Sequence, residues 1–265
     1  MQPIDDTPLT RDGKVLILAY DHGLEHGPVD FEEVPESADP EHVFEIAKHP
    51  AVTSLAVQKG IAEAYYPSYA DDVSLLAKLN GTSNLWMGEP DSAVNCSVEY
   101  AAEIGADAVG FTLYGGANNE VEMAEEFREI HEASRAHDLP VVMWSYPRGQ
   151  GLKNDKKPKT IAYAARQALE LGADVSKVKY PGSTDAMQDV IDMAGKTKVI
   201  MSGGSKRSDE EFLADVKGAI DAGGAGLAVG RNVFQRENPE QLLDALEQII
   251  FEEEPLDTAL ATLEG

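Results

Sequence analysis

The sequence predicts a (β/α)8 barrel, because eight short apolar runs alternate along its 265 residues with longer segments of helical periodicity. Eight is also the strand number of this fold. No linker, low-complexity tract or change of composition interrupts the pattern. About 250 residues is the usual size of one such barrel, so we expect a single barrel domain over residues 1–265.

Each predicted strand is rich in β-branched or other apolar residues, which is typical of parallel strands buried on both faces. The run at 85–87 is the weakest, and the last two runs are short. The eight runs are 15–19, 52–57, 85–87, 108–113, 141–144, 175–178, 199–201 and 227–229.

The intervening segments carry helix signals at their ends. Gly172 and Gly223 are stop signals, and Ser208 with Glu211 forms a capping box. A doubly wound open sheet is the competing architecture, but it requires a Gly-x-Gly-x-x-Gly turn after the first strand. The segment that follows that strand, DHGLEHGP at 21–28, lacks this spacing. Helices are predicted over 97–104, 119–137, 159–171, 208–222 and 239–251.

The composition is strongly acidic. The chain has 47 acidic and 22 basic residues and a formal net charge of −25. This charge repels polyanions and therefore argues against nucleic acid or an anionic membrane as a partner. The carboxylates are spread along the whole chain and recur on predicted outer helix faces, as at 120–132. Such a surface indicates a cytoplasm of high salt, where screening weakens the self-repulsion.

Two further features indicate a cytoplasmic protein. Cys96 is the one cysteine, which rules out an internal disulfide framework and fits a reducing compartment. Residues 1–6 lack the basic and apolar regions of a signal peptide, and no apolar run approaches the ~20 residues of a membrane span.

The carboxyl ends of the strands carry the active sites of barrel enzymes. Nearly every predicted end is polar or glycine, although polar turn residues would also end the strands of an inactive barrel. In chain order, the candidates are Asp21 and His22; Gln58 and Lys59; Glu89; Tyr114; Tyr146 and Arg148; Lys177 and Lys179; Ser202, Gly203 and Gly204; and Gly230 and Arg231.

Glycines after the seventh and eighth predicted strands indicate a phosphate site. Ser202, Gly203 and Gly204 follow one strand, and Gly230 and Arg231 follow the other. Glycine lets backbone N–H groups approach a phosphate closely, and a guanidinium adds a charge-assisted contact. A short extra helix is also predicted directly after Arg231, where many barrels hold a phosphate. Ordinary glycine turns are the alternative.

Two lysines lie two positions apart around the sixth predicted strand. The strand period places Lys177 and Lys179 on one face, toward the barrel interior. Burial and a like-charged neighbour both lower a lysine pKa, which frees the amine to form a Schiff base with a carbonyl substrate. Position alone favours Lys179, which is nearer the barrel mouth. The alternative is a pair of lysines that carboxylates neutralise or that bind phosphate statically.

The fifth predicted strand provides a candidate acid/base. Trp144 and Tyr146 share one face, and a nearby cation would stabilise the phenolate of Tyr146. The alternative is two aromatic side chains that fill the top of the barrel.

The histidines do not predict a metal centre. His22 and His26 are four residues apart, but Gly23, Gly27 and Pro28 argue against a helical pair. No third histidine falls at a predicted strand end, so a multi-histidine zinc site is hard to build. We expect neither a metal nor a cofactor.

Several segments resemble the archaeal-type class I fructose-bisphosphate aldolases, in the same order and over residues 10–250. The first and most specific is ILAYDHGLEHGP at 17–28. The others are QKGIAE at 58–63, LNG at 79–81, GEP at 88–90, NCSVE at 95–99, WSYPRG at 144–149, GAD at 172–174, KVKY at 177–180, MSGG at 201–204 and VGRN at 229–232.

The resemblance implies a barrel enzyme of glycolysis and gluconeogenesis that cleaves fructose 1,6-bisphosphate without metal. It places the Schiff-base lysine on Lys177, against the positional preference for Lys179. It places the acid/base tyrosine on Tyr146, the active-site aspartate on Asp21 and the substrate-flanking tryptophan on Trp144. The phosphate loops fall on Ser202, Gly203 and Gly204 and on Gly230 and Arg231. Arg148 and Lys179 are candidates for the second phosphate.

Other functions stay open at this point. Related lysine barrels make an aromatic amino acid precursor, but their first strand ends in a motif closer to PMDHG than to AYDHG. A metal-dependent aldolase and a non-catalytic sugar-phosphate-binding barrel are the others; the latter is expected to lose Lys177 or Tyr146. We also expect a homo-oligomer. The segment from Glu252 onward, with its stripe of Leu256, Leu260 and Leu263, is either a subunit contact or a helix that covers the barrel.

Overall fold

The computed structural model describes residues 4–264, and its centre is a closed barrel of eight parallel strands. The strands of the barrel are β1 Val15–Ala19, β2 Ser54–Gln58, β3 Leu75–Lys78, β6 Ala108–Leu113, β7 Val141–Ser145, β8 Val175–Val178, β9 Lys198–Ser202 and β10 Gly226–Val229. Two short strands, β4 Asn80–Gly81 and β5 Ala93–Val94, form an antiparallel pair after β3. Residues 1–3 and 265, which the predicted domain includes, lie outside the described part.

The barrel strands follow one another around the barrel in chain order, and β10 pairs with β1 to close it. Each pairing is parallel, so all eight carboxyl ends meet at one mouth. The predicted (β/α)8 fold is therefore confirmed, and seven of the eight predicted strands agree with the structure to within two residues.

The third predicted strand was wrong. The run at 85–87 lies in a loop, where Leu85 is 93% exposed, and the third strand is β3, ten residues earlier. The sequence pattern does not show this strand because it ends at Lys78 and is soon followed by Asn80, and polar residues there resemble a surface segment. Both side chains are in fact buried, and they hydrogen-bond to each other.

Helices alternate with the strands and cover the barrel. Gly172 ends α6 in the left-handed region at φ 95°, and the Ser208 side chain caps α8 by accepting a hydrogen bond from the Glu211 N–H. Among the described residues, no helix is both long and apolar enough to cross a bilayer. The helices are α1 Gly23–His26, α2 Pro40–Ala47, α3 Lys59–Tyr65, α4 Val98–Glu103, α5 Glu120–Ala136, α6 Pro158–Leu171, α7 Thr184–Ala194, α8 Asp209–Asp221, α9 Arg231–Phe234, α10 Pro239–Ile250 and α11 Leu256–Glu264, with 3-10 turns at Gly27–Phe31, Pro35–Ala38 and Tyr66–Ser68.

The last helix covers the barrel. Leu256, Leu260 and Leu263 are partly buried against the core, and α11 packs on α8 and α10. This was one of the two interpretations that the sequence left open for the segment.

The strand period separates two apolar layers. Alternate residues face the barrel interior, as Val15 and Ile17 do on β1, while Leu16 and Leu18 face the helices. Val175 belongs to the inner layer, as expected. Lys177 is two residues further along β8, so it is on the same face and nearer the mouth.

The outer helices carry the negative charge. On α5, five carboxylates are exposed along one face, which agrees with the sequence interpretation of that segment. They are Glu122, Glu125, Glu126, Glu129 and Glu132.

Candidate active site

One cavity of about 440 Å³ opens at the carboxyl ends of the strands, and all the strand-end candidates except Lys59 and Glu89 line it. The three predicted catalytic residues are among them, although they come from the first, fifth and sixth barrel strands. The predicted catalytic and substrate-binding residues that line the cavity are Asp21, Trp144, Tyr146, Arg148, Lys177, Lys179, Ser202, Gly203, Gly204, Gly230 and Arg231.

Lys177 lies inside the barrel on β8 and is 5% exposed. The Nζ atom is 4.5 Å from the ring centroid of Trp144, which occupies the paired position on β7. The preceding residue, Ser176, is on the opposite face of the strand, where its hydroxyl hydrogen-bonds to that of Ser145. Within residues 4–263 no carboxylate forms an ion pair with Lys177, so the amine faces the open cavity.

Lys179 also lines the cavity, but it has a partner. The Nζ atom lies 2.5 Å from Oδ2 of Asp155, and the side chain is 26% exposed. This ion pair holds the Lys179 amine against a carboxylate and away from a carbonyl substrate. The positional preference for Lys179 is therefore not supported, because Lys177 has no such carboxylate partner among the described side chains.

The indole ring of Trp144 fits inside the barrel because Gly110 leaves room for it. A Cβ atom on Gly110 would stand 2.6 Å from Cζ3 of Trp144 and 2.8 Å from Cδ2 of Leu76. Gly110 is on β6, directly paired with Lys78 of β3. The indole ring thus extends from Lys177 toward the third strand and forms one wall of the cavity.

Arg148 connects the fifth strand end to the first. Its Cζ atom lies 5.1 Å from the ring centroid of Tyr114 and 5.7 Å from that of Tyr146, and NH1 lies 3.2 Å from Oε1 of Glu25. The cation expected beside Tyr146 is therefore present. Burial alone would raise the pKa of Glu25, but the hydrogen bond from His26 and the charge of Arg148 lower it to about 2.

The prediction against a helical histidine pair was wrong. The His26 N–H donates to the His22 carbonyl across α1, and the two rings lie 6.0 Å apart. Gly23 begins this turn, and Gly27 follows it at φ 69°, so the glycines flank the helix rather than break it. The His22 ring stacks on Phe234, while Nδ1 of His26 lies 2.5 Å from Oδ2 of Asp30.

Burial lowers the pKa of His22 to about 4, although Asp21 and Asp30 oppose the shift. His22 is therefore neutral at physiological pH. Three side chains that could together hold a metal ion, His49, Asp244 and Glu247, lie on the outside of the barrel, apart from the cavity.

The two glycine loops meet at the mouth and are tied together. Asn232 donates to the carbonyls of Gly203 and Ser205, which joins the loop after β10 to the loop after β9. A Cβ on Gly203 would stand 2.9 Å from Val229 Cγ2, and one on Gly230 would stand 2.3 Å from the Ala19 carbonyl oxygen. The close packing explains why both positions are glycine. The predicted short helix exists as α9, one residue earlier than expected.

The cavity also contains a buried lysine that was not among the predicted site residues. Lys78 is 2% exposed, lines the cavity and donates to the backbone oxygen and Oδ1 of Asn80, both at 2.7 Å. Glu89, the candidate from the misplaced strand, does not line the cavity and instead accepts a hydrogen bond from the Gln150 N–H. The signal that could have found Lys78 is the apolar run at 75–77 that immediately precedes it.

Known proteins resemble this chain over most of its length. The family model described as DeoC/LacD family aldolase matches residues 15–236. The fructose-bisphosphate aldolase class 1 of Halobacterium salinarum is 74% identical over 263 residues, which is 99% of this chain and 100% of that protein. This chain belongs to the class 1 fructose-bisphosphate aldolase family. The corresponding enzyme of Thermoproteus tenax is 48% identical over 242 residues, with 91% of each chain covered.

Solved structures of the family have the same fold. One archaeal fructose-1,6-bisphosphate aldolase has its catalytic lysine covalently bound to the carbinolamine intermediate of the substrate. It is 47% identical to this chain, with a TM-score of 0.86 over 90% of this chain and 94% of that one. A second Schiff-base-forming aldolase gives a TM-score of 0.88 at 47% identity over 92% and 96% of the two chains.

Proposed function

We propose that this chain catalyses the reversible cleavage of fructose 1,6-bisphosphate to dihydroxyacetone phosphate and glyceraldehyde 3-phosphate, without a metal ion and through a Schiff base on Lys177. The observation that carries the proposal is the buried amine of Lys177, which ends in the cavity with no ion pair in the described part of the chain. The family relatives support the proposal, since they are fructose-bisphosphate aldolases and one retains an intermediate on its lysine. The reaction belongs to glycolysis and gluconeogenesis.

In the proposed reaction, the free amine of Lys177 attacks the C2 carbonyl of the open-chain sugar, and loss of water gives an iminium ion. The iminium draws electrons from the C3–C4 bond. Tyr146, assisted by Asp21, takes the proton from the C4 hydroxyl, so that this bond breaks and glyceraldehyde 3-phosphate leaves. Tyr146 then returns a proton to C3 of the enamine, and hydrolysis releases dihydroxyacetone phosphate and the free amine.

The glycine loops hold the C1 phosphate in this proposal. Gly203, Gly204 and Gly230 line the cavity, and Arg231 adds a positive charge. The Gly203 N–H donates to the Ala228 carbonyl, so the N–H groups assigned to the phosphate are those of Gly204 and Gly230. Ser202 contributes from the end of β9. A phosphate fixed there places the neighbouring carbonyl carbon over Lys177, which lowers the entropic cost of the attack.

The second phosphate is assigned to the carboxyl ends of the fifth and sixth barrel strands, β7 and β8. Arg148 and Lys179 line the cavity there, and each is paired with a carboxylate, Glu25 and Asp155 respectively. On binding, the phosphate would replace these two carboxylates as the ion-pair partner of Arg148 and Lys179. Trp144 separates this side of the cavity from the barrel interior and flanks the sugar.

The convergence of Lys177 and Tyr146 in one cavity argues against a non-catalytic barrel, which needs neither residue. Both relatives are fructose-bisphosphate aldolases, which favours aldol cleavage of the sugar over the synthesis of an aromatic amino acid precursor. A direct assay separates the candidates. Wild-type protein should release both triose phosphates from fructose 1,6-bisphosphate in the presence of a chelator. Lys177→Met should be inactive, while the exposed control Lys196→Met, remote from the cavity, should keep full activity.

We further infer a single-domain, cytoplasmic and halophilic protein that assembles as a homo-oligomer. The net charge of −25 and the relative in Halobacterium salinarum support adaptation to salt. The consecutive apolar side chains of Leu85, Trp86 and Met87 are exposed, which supports contact with another copy of the chain. Light scattering in high salt should give a mass that is a multiple of 28.6 kDa, whereas a monomer mass would contradict the assembly.

A further inference from the structure

Lys78 is a buried lysine in the cavity for which the proposed mechanism has no use. Burial of an ammonium group is costly unless its hydrogen-bonding capacity and charge are compensated. Lys78 is 2% exposed, and no carboxylate forms an ion pair with it within residues 4–263. A side chain placed at this cost at the centre of a reaction cavity needs an explanation beyond packing.

Two of its three N–H donors are accounted for. They go to the backbone oxygen and Oδ1 of Asn80. Asn80 is itself held rigidly, because it donates to the carbonyls of Ser92 and Thr112 and accepts from the Thr112 N–H. The Nζ atom of Lys78 therefore has a fixed position, and its third donor remains for a group in the cavity.

The position of Lys78 relative to Lys177 indicates which substrate group accepts the third N–H of Lys78. The Nζ atoms of both lysines face the Trp144 ring, at 5.4 Å from its centroid for Lys78 and 4.5 Å for Lys177. They come from the third and sixth strands of the barrel, so they approach the ring from two sides. A sugar bonded to Lys177 at C2 and held by the loops after β9 and β10 at C1 extends its remaining carbons away from those loops. Lys78 lies in that direction.

We propose that Lys78 is a further substrate-contacting residue, whose third N–H donates to the C4 oxygen of the sugar and stabilises the charge that develops there. The inference rests on the proposed function. In the cleavage step, the C4 hydroxyl proton passes to the Tyr146–Asp21 pair, the oxygen electrons form the new C4=O bond, and the C3–C4 electrons enter the iminium. Lys78 transfers no proton in this step; its positive charge favours the alkoxide-like oxygen as the proton departs.

The charged groups that face Lys78 are consistent with this role. Burial lowers the pKa of Lys78 to about 8, the charge of Asp21 opposes the shift, Lys177 adds to it and Glu25 opposes it. The side chain is therefore mostly protonated at neutral pH, as a donor to a developing anion must be.

The test uses a half-substrate that lacks C4. Dihydroxyacetone phosphate contains only the carbons that reach Lys177 and the glycine loops. With Lys78→Met, cleavage of fructose 1,6-bisphosphate should fall about 10²-fold in kcat, as for removal of one preorganised donor. The rate of borohydride trapping with dihydroxyacetone phosphate should stay at the wild-type level. Lys196→Met is the matched control and should change neither rate.

Two outcomes would overturn the inference: cleavage by Lys78→Met at the wild-type rate, or a parallel loss of cleavage and trapping, which would indicate a structural role or an effect on Lys177. If Lys78→Met does not fold, the pH profiles of wild-type protein provide the test. The kcat/KM for the bisphosphate should then fall above pH 8 more steeply than the trapping rate, and identical alkaline profiles would contradict the inference. Absence of both activities in wild-type protein would instead reject the proposed function itself.

Discussion

Trp144 and Lys177 occupy directly paired positions on β7 and β8, and the lysine Nζ atom lies 4.5 Å from the centroid of the indole ring. The ring fixes the position of the amine by packing. No carboxylate within residues 4–263 forms an ion pair with Lys177, which lines the cavity. This relationship distinguishes Lys177 from Lys179, which is fixed by Asp155.

The position of the Trp144 side chain depends on Gly110, so Gly110→Ala should impair catalysis. The added methyl group would stand 2.6 Å from the indole ring and force it to move. Overpacking of this kind costs typically 1–3 kcal/mol of stability. We expect a lower free energy of unfolding in urea and a reduced kcat. Gly60→Ala is the control, because a Cβ there has open space within α3, and it should keep activity and gain slightly in stability. Full activity of Gly110→Ala would show that the ring position is not critical.

The strand that carries Lys177 is anchored by a buried ion pair, and Asp174→Ala should destabilise the fold. Arg135 binds both oxygens of Asp174, at 2.8 and 2.9 Å, and the same carboxylate accepts the Val141 N–H. Removal of one partner of a buried pair costs roughly 3–5 kcal/mol. The exposed pair Arg166–Glu170 on α6 provides the comparison, since Glu170→Ala should cost no more than ~0.5 kcal/mol. Urea unfolding of both variants measures the difference, and equal losses would contradict the account.

Burial of His22 should make stability depend on pH. Its pKa falls from 6.5 to about 4 on folding, so the unfolded chain takes up a proton first as the pH decreases. The stability is fully present above pH 6.5 and is lost as the pH falls toward 4. The expected loss is of order 3 kcal/mol, because a difference of one pKa unit corresponds to about 1.4 kcal/mol. His22→Phe, which keeps an aromatic ring against Phe234, should lose less stability over this range in urea unfolding at constant salt. An unchanged pH profile would show that the wild-type histidine does not titrate in this way.

The acidic surface should make the protein depend on salt. Exposed carboxylates such as those on α5 repel one another, and screening by salt reduces the repulsion. We expect the thermal midpoint and the rate of fructose 1,6-bisphosphate cleavage both to rise from low salt to molar KCl. The rate should depend on salt additionally because a bisphosphate must approach a chain of net charge −25. Highest stability at low salt would contradict this reasoning.

Periodicity and strand-end position were sufficient to predict most of the barrel and a set of residues that share one cavity. They succeed because a parallel strand is buried on both faces and its carboxyl end faces the mouth, as at Lys177 and Gly203. They fail where polar side chains are buried. Lys78 and Asn80 satisfy each other inside the barrel, a compensation that the sequence pattern does not display. The choice of Lys177 over Lys179 also needed more than position, since Asp155 is remote in sequence.

The account rests on a covalent bond between substrate and Lys177, and mass spectrometry after borohydride reduction tests it directly. Wild-type protein incubated with dihydroxyacetone phosphate and reduced should carry one adduct, and peptide mapping should place it on Lys177. An adduct on Lys179 or Lys78, or no adduct in a preparation that cleaves fructose 1,6-bisphosphate, would contradict the account.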